Sequence, residues 1–292
     1  MYHSEILKKV RQIEIKTKKH VDNLMAGSYR SVFKGLGMEF DEVKEYSYGD
    51  DIKNIDWNVT ARSDNVFVKS YVEERELVVI IAIDASGSQD FGTADMSKKD
   101  LTLQVSALLA FSALKNKDKV GLLIFSDKIE LFIPPKKSKN HVLRIIREIA
   151  TERETSKGTN LNHTLIYLNR VLKRKAIVFF ISDFFTEESF IKAMKVSARK
   201  NDFVAVQIED PIEKDFKSAG LIELVDSETG EILMINSSDS NFLMNYKKFY
   251  RVREQERERI FKSLKVDYIN LSTDKPYIIP LVKFFNQRSK RR

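Results

Sequence analysis

Four short apolar runs constrain this chain more than any other feature. Leu77-Val-Val-Ile-Ile-Ala-Ile83, Val120-Gly-Leu-Leu-Ile-Phe125, Ala176-Ile-Val-Phe-Phe-Ile181 and Phe203-Val-Ala-Val-Gln-Ile208 lack the polar alternation of a strand with one wet face. All are far shorter than the roughly 20 residues that cross a bilayer. They read as parallel strands buried on both faces. Between them lie segments with helical spacing, over Leu101–Leu114 and over about 139–151, 160–173 and 187–200. This alternation predicts an α/β fold with a mostly parallel central sheet. Ligands of such sheets sit beyond the carboxyl ends of the strands, so the residues just after each run are where function is sought.

The flanking sequence is less regular. Ile6, Val10, Ile13, Val21 and Leu24 fall at mostly helical intervals and predict an amphipathic helix over 5–24. From Gly27 to Glu76 the pattern breaks into glycines, clustered aromatics and charges, as in an ordered loop or a short-stranded subdomain. Ile129–Ile133 alternates as an edge or hairpin strand, which Pro134-Pro135 is expected to stop. Leu221–Val225 and Glu231–Ile235 predict a hairpin, followed by a charged helix over 239–263, a strand over 266–271 and a last helix after Pro276. The expected division is an N-terminal region 1–76, an α/β domain 77–272 and a C-terminal helix with basic tail 273–292.

Charge placement matters more than its sum. The net charge is +8, yet residues 1–35 carry +5 and residues 241–292 carry +9, which leaves −6 for residues 36–240. An acidic middle suits a cation better than a phosphate backbone, and basic solvated helices account for the ends. Cysteine is absent, which excludes disulfides, thiolate metal sites and thiol nucleophiles. The N-terminus is polar and then basic, without the apolar core of a signal peptide, so no membrane span and a cytoplasmic location are expected.

The first apolar run ends in Asp84-Ala-Ser86-Gly-Ser88. Oxygen-bearing side chains at alternating positions can converge where the backbone curls. Gly158-Thr159 precedes a predicted helix and Ser182-Asp183 ends the third run. Asp84, Ser86, Ser88, Thr159 and Asp183 thus offer two carboxylates and three hydroxyls at one sheet edge. Hard oxygen donors suit Mg²⁺, with Mn²⁺ or Ca²⁺ as alternatives. This pattern resembles the metal-ion-dependent adhesion site, and residues 77–272 resemble a von Willebrand factor type A domain, a Rossmann-like α/β fold.

Upstream, Gly37-Met-Glu39-Phe40, Glu45-Tyr46, Tyr48-Gly-Asp50-Asp51, Asn54-Ile55-Asp56-Trp57-Asn58, Ala61-Arg62, Val68-Lys69 and Glu74-Arg75-Glu76 resemble one signature. It is that of the MoxR-associated bacterial group of type A domain proteins, catalogued as a domain of unknown function, which adds an irregular or β-structured N-terminal extension. The resemblance implies a non-enzymatic, metal-dependent protein-binding module. Its implied partners are a MoxR-type AAA+ ATPase, for which it would be adaptor or co-chaperone, and other type A domain proteins.

Other readings carry less. Asp84–Asp95 touches the calcium-loop spacing, but Gln89 stands where the loop needs glycine and a strand precedes it. Glu39, Glu45, Asp50, Asp51 and Asp56 are expected to pair with Arg62, Lys69 and Arg75 in a buried ion-pair lattice anchored by Trp57; an interface role for Trp57 is the alternative. His3, His20, His141 and His163 show no zinc spacing, and no phosphate-binding glycine loop occurs. A metal-dependent hydrolase lacks an evident general base. Nucleic-acid binding through the basic ends is disfavoured because Arg and Glu alternate over 251–259.

Overall fold

A computed structural model describes residues 2–25, 39–72, 77–87, 92, 96–151, 158–186, 189–215, 218–225 and 232–291. The described chain falls into two compact units, residues 33–77 and a larger unit of 1–32 with 78–292. In chain order the elements are α1 (Tyr2–Met25), β1 (Glu39–Glu45), a 3-10 turn (Ile52–Asn54), α2 (Trp57–Thr60), β2 (Phe67–Val72) and β3 (Val78–Asp84). There follow α3 (Lys98–Lys115), β4 (Lys119–Phe125), β5 (Ile129–Lys136), α4 (Lys139–Thr151), α5 (Leu161–Val171), β6 (Ile177–Ser182), α6 (Ile191–Lys200) and β7 (Asp202–Glu209). The last are α7 (Pro211–Lys214), β8 (Leu221–Val225), β9 (Ile232–Asn236), α8 (Ser240–Leu264), β10 (Asp267–Ser272) and α9 (Ile278–Lys290).

The large unit is built on a six-stranded sheet in the order β10-β7-β6-β3-β4-β5, parallel except for the β4–β5 pair. The expected α/β architecture with a mostly parallel central sheet is therefore present. Strand order reverses between β3 and β6, so the crevice beyond their carboxyl ends is the topological switch point. Ile80, Ala82, Leu123, Phe125, Val178, Phe180, Phe203 and Ala205 pack with α5, α6 and α8 residues in one buried cluster. Burial on both faces of β3, β4 and β6 explains why their sequences carry no alternation. Helix α3 is buried nearly all round, between the sheet and α1, which is why its apolar residues are not confined to one stripe.

Two expectations about element ends change. β5 continues through Pro134-Pro135 to Lys136, because an edge strand tolerates residues without an N–H donor. Within β4, a Cβ on Gly121 would meet the Ile133 carbonyl oxygen at 2.9 Å, so glycine permits this close pairing. Helix α6 begins at Ile191, with Phe190 at its cap position, and not near residue 187 as expected. The hairpin pairs Leu221 with Asn236 and Val225 with Ile232; residues 226–231 lie outside the described set. The basic C-terminus is part of α9 to Lys290, where Arg288 pairs with Asp202 and Asp267.

The small unit is an antiparallel β1–β2 ribbon with the 3-10 turn and α2 between its strands. The buried ion-pair lattice expected here is not what its described residues form. Asp51 caps the 3-10 turn, and Asp56 caps α2 by accepting from the Asn58 and Val59 N–H groups. Asp50 accepts from Lys44 at 2.8 Å and from the Ser47 N–H, and these hold its carboxyl below the usual range. Asp56 meets Lys69 at 3.5 Å, while Arg62 is exposed and Arg75 lies outside the described residues. Trp57 is 68% exposed and anchors nothing in a core. The reason is local: the carboxylates satisfy backbone N–H groups of tight turns, and a four-residue helix has no inner face wide enough to bury an indole.

Candidate metal centre

The switch point gathers side chains from the ends of β3 and β6 and from the loop that precedes α5. Asp84, the last residue of β3, is 2% exposed. Its Oδ2 accepts a hydrogen bond from Ser182 Oγ at 2.6 Å, and its Oδ1 accepts from the Ser86 N–H at 3.1 Å. Thr159 Oγ1 donates to the same Oδ1 at 3.3 Å. Thr159 can do this because its neighbour Asn160 takes the capping task of α5, accepting from the His163 N–H at 2.8 Å. The Asn160 N–H in turn donates to the Ser126 carbonyl at 3.0 Å, tying this loop to the end of β4. Burial, and then the charge of Asp183, push Asp84 up to about 6, because all three of these donors are neutral.

Asp183 follows β6 and is also buried. Its Oδ1 accepts from the Phe185 N–H at 3.1 Å, its Oδ2 from Lys98 Nζ at 3.4 Å, and its carbonyl from Arg257 Nη1 at 3.5 Å. The next residue, Phe184, has φ 55°, a left-handed conformation unfavourable for a side chain of this size. It is held there by packing against Phe180, Phe190 and Phe261, at ring-centroid distances of 5.9, 6.4 and 5.1 Å. Strain offset by a packed aromatic cluster at the candidate site fixes the turn that presents Asp183.

Lys98, the first residue of α3, is 0% exposed and pairs with both Asp183 and Glu213 of α7. Burial disfavours its charge, yet the two carboxylates more than offset that and raise its pKa. Glu213 is raised as well, because burial outweighs its attraction to Lys98. The asymmetry has a simple origin: the ammonium has two anionic partners, whereas Glu213 has one cation and also faces the charge of Asp183. The pair therefore stabilises the lysine charge more than the glutamate charge.

The donor chemistry fits a hard divalent cation. Among the described residues no group of three Asp, Glu, His or Cys is placed to hold a metal ion, so a cation here would rely on two carboxylates supplemented by hydroxyls. Thr159 directs its proton at Asp84 and retains lone pairs to offer. Of the five expected ligands, Asp84, Ser86, Thr159 and Asp183 lie at this one edge; Ser88 lies outside the described residues. His163 is exposed, and His141 is a structural residue whose Nε2 meets the Val120 carbonyl at 2.9 Å.

Sequence reasoning missed Ser182, Lys98 and Glu213. Ser182 was visible beside Asp183, but period two directs adjacent strand residues to opposite faces. The signal for Lys98 is its place in the first turn of a helix, where the dipole repels a cation unless carboxylates compensate. Glu213 completes a capping box with Asp210, a pattern that by itself suggests only a helix start.

A model of the family described as "Protein of unknown function DUF58" matches residues 42–257. The chain is 25% identical over 283 residues to the uncharacterized protein Rv1480 of Mycobacterium tuberculosis, covering 96% of this chain and 89% of that protein. It is 22% identical over 160 residues to the uncharacterized protein MAV169 of Mycobacterium avium, covering 54% of this chain and 94% of that one. Among solved structures, the conserved hypothetical protein BatB of Bacteroides thetaiotaomicron superposes with a TM-score of 0.48 at 13% identity, over 73% of this chain and 99% of that chain. The SpRpn10 VWA domain superposes with a TM-score of 0.39 at 9% identity, over 73% and 95%. No described helix is long and apolar enough to cross a membrane.

Proposed function

The chain belongs to the DUF58 family, and on that footing we propose that it is a protein-binding module without turnover of its own, whose contact with a partner is completed through a divalent cation. One observation carries the reading: Asp84, Ser86, Thr159 and Asp183, from three separate loops, lie together at the switch point of a parallel sheet. These four residues would hold Mg²⁺, with Ser88 as a fifth donor. The cation would supply positive charge with an incomplete oxygen shell, which a partner's Asp or Glu carboxylate completes.

The residues of the chain explain why the partner would be anionic. Two carboxylates are the only charged groups among the proposed ligands, and Lys98 already neutralises part of Asp183. The hydroxyls of Ser86 and Thr159 add oxygens without adding negative charge. A bound divalent cation therefore stays electropositive, and an acidic partner is favoured over a basic or neutral one. Resemblance of the upstream signature to MoxR-associated proteins points to a MoxR-type AAA+ ATPase as the partner, with this chain as adaptor or co-chaperone.

The test is capture of a purified MoxR-type ATPase by the full chain in Mg²⁺ or in EDTA, with wild type and Asp84→Ala. Capture that requires both Mg²⁺ and Asp84 supports the reading. Equal capture in all four conditions eliminates the metal-bridged contact.

A further inference from the structure

A second anion-seeking feature adjoins this edge. A cavity of about 420 Å³ opens between the chain after β6 and helix α8. Phe184, Phe185, Phe190 and Ile260 supply apolar wall, and Arg253 and Arg257 supply charge. Arg257 is only 8% exposed; its Nε and Nη2 make no well-aligned hydrogen bond among the described residues, although the Tyr268 hydroxyl lies beside its guanidinium. Its remaining terminal nitrogen donates to the Asp183 carbonyl. Arg253 is held in place by its stacking, with its guanidinium carbon 4.4 Å from the centre of the Phe185 ring and 4.8 Å from that of Phe249. Buried donors without well-aligned partners are costly.

We propose that this cavity is a docking site for an acidic side chain of a partner polypeptide, whose carboxylate pairs with Arg257 and Arg253 while its apolar neighbours cover the phenylalanine wall. Two features select a carboxylate. The planar guanidinium fork matches its two oxygens. Glu256 also lines the cavity, so among the described residues two cations are set against one anion, a balance suited to a single negative charge and opposed to a phosphate dianion. The aromatic wall suits a peptide with apolar residues flanking the acid. This assignment does not rest on the divalent-cation reading, since none of its contacts involves the proposed ligand side chains.

The experiment uses the full chain and two dye-labelled, end-capped peptides, one with Asp between Leu and Phe and a twin with Asn, read by fluorescence polarisation in EDTA and in Mg²⁺. The Asp peptide should bind about tenfold more tightly than its twin in both buffers. Arg257→Gln and Arg253→Gln should each weaken it by about tenfold, the second variant guarding against a fold defect in the first. Acetate should compete better than inorganic phosphate. Equal binding of the two peptides, absence of binding, insensitivity to both arginine variants, or better competition by phosphate would each overturn the assignment. Loss of binding in EDTA alone would also overturn it, and would place the peptide at the cation site instead.

Discussion

Lys98→Met tests whether the switch point is built around an internal cation. Lys98 is fully buried, with one carboxylate oxygen of Asp183 at 3.4 Å and Glu213 in direct contact. At 3.4 Å and an effective dielectric constant of 20, one such pair has a gross attraction of about 5 kcal/mol. Desolvation of the ammonium consumes much of this in the native protein. Removing only the lysine, however, abandons two carboxylates in a site that already contains buried Asp84. Breaking a buried pair from one side costs about 3–5 kcal/mol, or roughly 6–20 °C in Tm for a domain of this size. Glu213, already raised by burial, can limit that loss by taking up a proton. It rises further when the lysine that lowers it goes, so the variant should be least destabilised at low pH and lose stability as pH rises through that raised value.

Mg²⁺ should then rescue the variant more than the wild type, because it can replace the missing positive charge and no longer competes with the lysine. The assay is thermal and urea denaturation of both proteins at pH 5 and pH 8, in EDTA and in a Mg²⁺ series. A variant as stable as wild type in EDTA would refute the buried-cation argument. A variant destabilised in EDTA with no larger Mg²⁺ response would refute the placement of the divalent cation beside Lys98.

Further outcomes are expected at neighbouring positions. Asp84 titrates near 6 in the fold against 3.8 when unperturbed, so its contribution is fully present below pH 3.8 and lost as pH rises through 6. In EDTA, urea denaturation should find this contribution of about 3 kcal/mol between pH 4 and 7.5 in wild type and not in Asp84→Asn; equal pH dependence in both would show the burial argument to be wrong. Thr159→Val removes the hydroxyl that meets Asp84 and should weaken Mg²⁺ binding by about tenfold by calorimetry, with a stability cost of about 1 kcal/mol. An unchanged Mg²⁺ affinity would remove Thr159 from the ligand set. Trp57→Ala should alter urea stability by no more than about 0.5 kcal/mol, because the indole is exposed; a loss of several kcal/mol would reinstate it as an anchor.

Much of the fold was legible because burial on both sheet faces leaves an unmistakable trace. Each of the four apolar runs coincides with a strand of the parallel sheet, and Asp84, Ser86 and Asp183 after them lie at the edge the α/β rule designates. Irregular regions were less legible. In the small unit, carboxylates that read as ion-pair partners instead cap backbone N–H groups, a choice decided by turn geometry within a few residues. The expected stop at Pro134-Pro135 failed because proline's missing donor matters only where a neighbouring strand needs it.

The primary structure alone determined the α/β class, the oxygen-only character of the candidate centre and the residues that offer it, because periodicity and donor chemistry are properties of the residues themselves. Tertiary structure decided the strand order, and with it that β3 and β6 are neighbours and that Asp84 meets Ser182. It also decided that Lys98 neutralises Asp183 across 85 positions of chain, and that Arg257 arrives beside Asp183. Those relations come from packing between distant segments, and the sign and solvation of a charge depend on which distant segment it meets.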